Sequence, residues 1–331
     1  MITVTFYYQD DCPACEQALS ELEALQATVP HHLVRINIAR DEVLRERYGG
    51  TLPVIEVGPY RRQAPFERQD LQVMLLAAQD RVSQLEQVDQ AGYQQQLAQG
   101  HTINASDRLS LWLSQHYLAL FGGLLLLYVG LPFVAPILMK YNQPGPANLI
   151  YRMYSPLCHQ LTFRSWFLFG QQAYYPRALA GVPGVMSYEE ITNSTTLDLL
   201  EARRFVGNET MGYKVALCER DVAIYGLMFL FTVFYALTGR RLRTIPWYLW
   251  VVVGMAPIAL DGVSQLPSVA ANLPAWVPMR ESTPFLRTLT GGLFGWMTAW
   301  YLFPMIEETM RETRWILQRK FAIAEQVRPE R

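Results

Sequence analysis

The 331-residue sequence predicts two parts of different class: an α/β soluble domain, followed by an α-helical integral membrane domain of about four transmembrane helices. Three observations predict it. Residues 1–110 are polar and charge-rich; residues 117–306 carry several long apolar runs; and β-branched runs alternate with helix-favouring segments only in the first 85 residues. Two domains also suit the length. A formal net charge of −1 gives no electrostatic footprint for nucleic acid, so no nucleic-acid partner is expected.

The elements of the soluble part follow in order. "ITVTFYY" (2–8) is a buried-strand run. "CPACEQALSELEALQ" places Leu19, Leu22 and Leu25 at helical spacing. "HHLVRINI" (31–38) reads as a second strand, "ARDEVLRERYG" (39–49) as a short helix stopped by glycine, and "TLPVIEVG" (51–58) as a third strand with a proline near its start. "ERQDLQVMLLAAQDRVSQL" (67–85) is a closing amphipathic helix. Residues 86–110 are Gln-rich with few apolar anchors, and residues 86–116 read as a linker and juxtamembrane segment with some helix.

Of the four cysteines, two lie in each half. Cys12 and Cys15 form C-x-x-C at a strand-to-helix junction, where the helix N-terminus stabilises a thiolate on Cys12 and Cys15 stands one turn on to resolve a mixed disulfide. The competing reading, half of a zinc site, finds only His31 and His32 as further donors in this domain. Asp10 and Asp11, just before Cys12, work against a thiolate.

With "CPAC" after the first strand and "TLP" before the third, residues 1–85 resemble a small glutaredoxin-like domain of thioredoxin fold. The resemblance implies that Pro53 is a cis-proline facing the dithiol, and that Thr51 and Leu52 offer backbone to a thiol partner, either glutathione or a protein. The start "MITVTFYYQDD" lacks the basic and apolar regions of a signal peptide, so this domain is expected in the cytosol.

In the second part, residues 117–139, 222–239, 246–265 and 285–306 are each long and apolar enough to read as a span of the lipid bilayer. The short loop "RRLRTI" (240–245) holds three arginines and no acid, so it is expected on the cytoplasmic side, as is the basic tail at 307–331. Both termini are then cytoplasmic. Residues 140–217 form a large extracytoplasmic loop, in which "SWFLFG" (165–170) is too short to span and is expected at the interface or re-entrant.

This topology gathers demanding residues at one level: Cys158 and His159, then Cys218, Arg220 and Asp221, then Asp261 and Gln265, then Arg280 and Arg287. Ionisable groups at such depth mark a site or an internal pair. Three readings stay open. Cys158 and Cys218 form a disulfide; Cys158, His159, Cys218 and Asp221 hold a metal, for which zinc is the candidate; or the arginines and aspartates form a polar network around free thiols. No cofactor is otherwise indicated.

"CHQLTFRSW", "CERDVAIYG", "DGVSQ" and "RESTPFLRTLTGG" occur in order over residues 150–305 and resemble the motifs of a family of predicted prokaryotic membrane proteins of unknown function. Relatives carry C-x-R-C where this chain has Cys218, Glu219, Arg220 and Asp221. The resemblance implies the inner or plasma membrane of a prokaryote. The combined expectation is a membrane-anchored thiol–disulfide protein with a cytosolic C-x-x-C domain and an outer-face Cys/His site. The alternative is a non-enzymatic accessory or scaffold subunit docking partners in a larger membrane complex.

Overall fold

The computed structural model describes residues 2–40, 42–193, 198–265 and 280–327. The chain divides into two compact units, Met1–His116 with Glu308–Arg331, and Tyr117–Glu307.

The first unit follows the expected order: β1 (Ile2–Tyr8), α1 (Pro13–Leu25), β2 (His31–Asn37), α2 (Glu42–Tyr48), β3 (Val54–Val57), β4 (Tyr60–Gln63) and α3 (Arg68–His101). The sheet order is β2-β1-β3-β4, with β1 parallel to β2 and antiparallel to β3. This mixed sheet fits a thioredoxin-like domain. Strand alternation sends Phe6 to one face and Tyr7 to the other. Phe6 and Ile55 pack with Leu22 and Leu25 of α1 and Leu71 and Leu75 of α3. Tyr7, Val34 and Ile36 pack with Tyr48 of α2, and Trp315, Ala322 and Ile323 close this second face from the far end of the chain. Helix α3 runs through residues 86–101, where the composition reads as a linker, with non-helical dihedrals only at Asp89.

The second unit is built on α4 (Ala105–Lys140, which begins in the first unit), α5 (Pro144–Tyr154), β5 (Ser165–Leu168), α6 (Tyr188–Thr192), α7 (Leu199–Arg204), β6 (Gly207–Asn208), β7 (Gly212–Cys218), α8 (Glu219–Leu237), α9 (Trp247–Val263) and α10 (Pro284–Val327, which ends in the first unit). Among the described residues, α4 and α8 are long and apolar enough to cross a membrane; α9 is apolar but shorter. The run "SWFLFG" enters a sheet. Its first four residues are β5, an edge strand of a three-stranded antiparallel sheet ordered β5-β7-β6. Ser165 and Phe167 point inward and are buried, which is a strand pattern that hydropathy alone does not separate from a membrane one. Ser187 caps α6 through a capping box with Glu190.

Candidate functional site

The dithiol lies where β1 turns into α1. Asp11 takes a left-handed conformation (φ 58°), and Cys12 is the N-cap with extended backbone. Pro13 begins the helix, where its missing N–H costs nothing. The Cys12 Sγ accepts the Cys15 N–H at 3.2 Å, and Cys12 and Cys15 are joined by a disulfide. Their exposures differ: Cys15 is buried in the α1–α3 core, while Cys12 is only half-buried. An incoming thiolate therefore meets Cys12 first. Asp10 and Asp11 are exposed, and Asp10 Oδ2 accepts from Asn37 Nδ2 at 2.8 Å. The Leu52–Pro53 bond is cis, and Leu52 packs on the same core as Cys12. His31, a further donor weighed for zinc in this domain, is buried, with Nδ1 2.7 Å from the Val29 carbonyl oxygen.

The second constellation is assembled from α5, β7 and α8. Cys158 closes the turn after α5, donating its N–H to the Tyr154 carbonyl at 3.0 Å, and is buried among Ile150, Tyr151, Tyr154 and Leu217. Cys218 ends β7, paired in register with Ser165, and is the N-cap of α8. Cys158 Sγ accepts the Cys218 N–H at 3.3 Å, and Cys218 Sγ accepts the Asp221 N–H at 3.5 Å. Both thiols are free. The two sulfurs and a carboxylate oxygen of Asp221 all lie within 4.8 Å of one another. His159, expected to be a fourth member, is exposed and lies outside this trio. It lines the rim of a pocket of about 350 Å³ with Cys158, Cys218, Asp221, Arg164 and Arg287. The Cys218 thiol donates to Cys158, which lowers the Cys158 pKa; the same hydrogen bond and burial hold Cys218 well above the usual thiol range.

Two charge networks flank the thiols. Asp261, 2% exposed, accepts from Arg220, from Arg280 at 2.8 Å and from Ser282 at 2.9 Å, while Gln265 donates to the Asp261 carbonyl at 2.6 Å. Glu219 and Glu281 share Arg287, and Glu281 also accepts from Arg164 at 2.9 Å. The buried charges of these networks, Asp261, Glu219, Glu281 and Arg287, are thus all paired.

Sequence reasoning missed Gln160 and Lys214. Gln160, in a left-handed conformation (φ 51°), donates its amide to the carbonyls of Tyr151 and Ala216 at 2.9 and 3.0 Å. Lys214 is fully buried in β7 and donates to the carbonyls of Gln160 and Arg203, both at 2.7 Å. Burial brings its pKa down to about 7. A lysine on the inward face of "GYKVALC" was the available signal.

Residues 3–79 match the model described as "Glutaredoxin-like domain (DUF836)", and residues 208–301 match "Predicted membrane protein (DUF2085)". The chain is 23% identical over 205 residues to an uncharacterized protein of Methanocaldococcus jannaschii, covering 59% of this chain and 96% of that one. No solved structure matches. An N-terminal glutaredoxin-like domain is therefore fused to a segment of a predicted membrane protein family.

Proposed function

We propose that this fusion is a membrane-anchored thiol–disulfide exchange protein whose reactive pair is Cys12 and Cys15. The observation that carries the reading is the asymmetric exposure of the two sulfurs at a helix N-terminus within a glutaredoxin-like domain. In the reducing direction, the Cys12 thiolate attacks a substrate disulfide, forming a mixed disulfide and releasing the first substrate thiolate. Cys15 then attacks Cys12 Sγ, the second substrate thiolate leaves, and the Cys12–Cys15 disulfide remains. Two electrons pass to the substrate, and the two protons lost by the cysteines end on the released thiols. Pro53 and its neighbours flank the substrate strand, and the partner is glutathione or a protein thiol.

The anchor is a four-span domain in the inner or plasma membrane, with both termini cytoplasmic. Its support is that all four helices leave large apolar side chains uncovered: Leu124 on α4, Leu230 on α8, Val252 and Leu260 on α9, Phe285 and Leu289 on α10. Such faces are costly in water and solvated in lipid. Cys158, Cys218 and Asp221, with His159 lining the adjoining pocket and supported by Arg220, Asp261, Gln265, Arg280 and Arg287, then form a site at the extracytoplasmic face.

The test is reduction of a small mixed disulfide by the full chain. Cys12→Ser is expected to lower the rate by about 10³-fold or more. Cys15→Ser is expected to accumulate a mixed disulfide visible by mass. Unchanged turnover in Cys12→Ser overturns the reading.

A further inference from the structure

We infer that Cys158, Cys218 and Asp221 form a binding site for a thiophilic divalent cation of the zinc type, with three protein ligands and a fourth position open to the adjoining pocket. The inference is independent of the exchange chemistry assigned to Cys12 and Cys15.

Distance comes first. Zinc binds thiolate sulfur at about 2.3 Å and carboxylate oxygen at about 2.0–2.2 Å in a tetrahedron, which puts any two donors less than about 4 Å apart. The three donor atoms already lie within 4.8 Å of one another, so small side-chain rotations close the gap. Two sulfurs and one carboxylate oxygen form a donor set that thiophilic divalent ions accept.

The donors are also held on regular elements. Cys218 is fixed by its ladder pairing with Ser165 and by capping α8; Asp221 stands one turn into that helix; Cys158 is fixed by its N–H bond to Tyr154 and by its buried surroundings. The backbone N–H groups of Cys218 and Asp221 point at the two sulfurs, an outer shell that orients ligands and spreads thiolate charge.

Charge is the third observation. The arginines lining this pocket are already paired: Arg164 with Glu281, Arg220 with Asp261, Arg287 with Glu219 and Glu281. Among the described residues, the Asp221 carboxylate has no hydrogen bond or salt bridge. Ligands of a bound cation would carry three negative charges within one small volume, while the arginines lining the pocket are held by acids and the nearby Lys214 donates to two carbonyls, so among the described residues little protein charge is left to meet them. A divalent ion does so directly. The fourth side faces the pocket of about 350 Å³ and His159 stands exposed at its rim, so water or a small ligand completes the shell, as in zinc sites that keep an open position.

The experiment uses the full chain in detergent, reduced, loaded with zinc chloride or cobalt chloride and dialysed. Expected are about one ion per chain by elemental analysis and a thiolate-to-cobalt charge-transfer band. Both are lost in Cys158→Ser and Cys218→Ser. The affinity falls roughly tenfold or more in Asp221→Ala. The Cys12→Ser/Cys15→Ser double variant and His159→Ala keep the ion and the band. Variants are compared only where gel-filtration elution and helical circular dichroism match the parent. Failure of the reduced parent to bind either ion overturns the inference, as does equal binding by both single cysteine variants. So does a Cys158–Cys218 disulfide that persists, by intact mass, in the reduced and metal-loaded chain. Activity of Cys12 is not read in any arm, so the two proposals fail separately.

Discussion

At the scale of single residues, Lys214 gives the clearest pH dependence. Its ammonium is fully buried and its neighbours are Cys158 and Arg203. A neutral amine has two N–H donors, and the carbonyls of Gln160 and Arg203 accept both. The folded-state pKa is about 7 against an ordinary 10.5. Between those values the unfolded chain holds a proton that the folded chain has released. Stability therefore rises with pH across that window, by at most about 1.4 kcal/mol per pH unit. The thermal midpoint in detergent is expected to be higher at pH 9 than at pH 6.5, and Lys214→Met is expected to flatten the difference. An identical slope in the variant would refute this. The cysteines divide by position in the same way: Cys12 and Cys15 were legible as a redox pair because three residues place both at a helix start, whereas the state of Cys158 and Cys218, 60 residues apart, depended on β7 returning beside α5.

At the scale of elements, the packing of α8 on α10 rests on small residues. A Cβ on Gly295 would stand 2.1 Å from the Ile224 carbonyl oxygen, and one on Gly291 would stand 2.7 Å from that of Arg220. Gly292 faces only the flexible end of Leu227, 3.4 Å away. Gly295→Ala is expected to lower the thermal midpoint sharply and Gly292→Ala to leave it nearly unchanged; equal effects would refute this packing. Asp261 binds α9 to α8 and to the start of α10 through three donors. Asp261→Ala leaves the part-exposed Arg220 and Arg280 without their carboxylate and is expected to cost about 1–3 kcal/mol, read as a fall in the thermal midpoint. Which of these glycines touches backbone was not legible in the sequence, since sequence spacing does not give the rotation of one helix against another.

At the scale of the whole molecule, the far end of the chain completes the glutaredoxin-like unit. Trp315 and Ile323 cover its second sheet face, Arg319 pairs with Glu56 at 3.2 Å, and Gln326 hydrogen-bonds both backbone groups of Arg35. Deleting residues 308–331 uncovers Tyr7, Val34 and Ile36. The truncated chain is expected to expose trypsin sites within residues 1–85 and to lose exchange activity; unchanged protease resistance would refute this. The four-span topology has its own check. Membrane-impermeant maleimide applied to intact cells is expected to label Cys218 after chelation and reduction and to spare Cys12. The reverse pattern would invert the orientation.

By itself the sequence determined the two-part plan, the order of strands and helices in the first part, and the C-x-x-C at a helix start. All of these depend on periodicity, caps and spacings of a few residues, which are local properties. Only the tertiary structure decided that "SWFLFG" is a strand, that His159 stands apart from Cys158, Cys218 and Asp221, and that residues from 308 onward belong with the first domain. Each of those facts rests on contacts between segments distant in the chain. Such contacts are set by which faces can be buried together, and no window of sequence contains both faces.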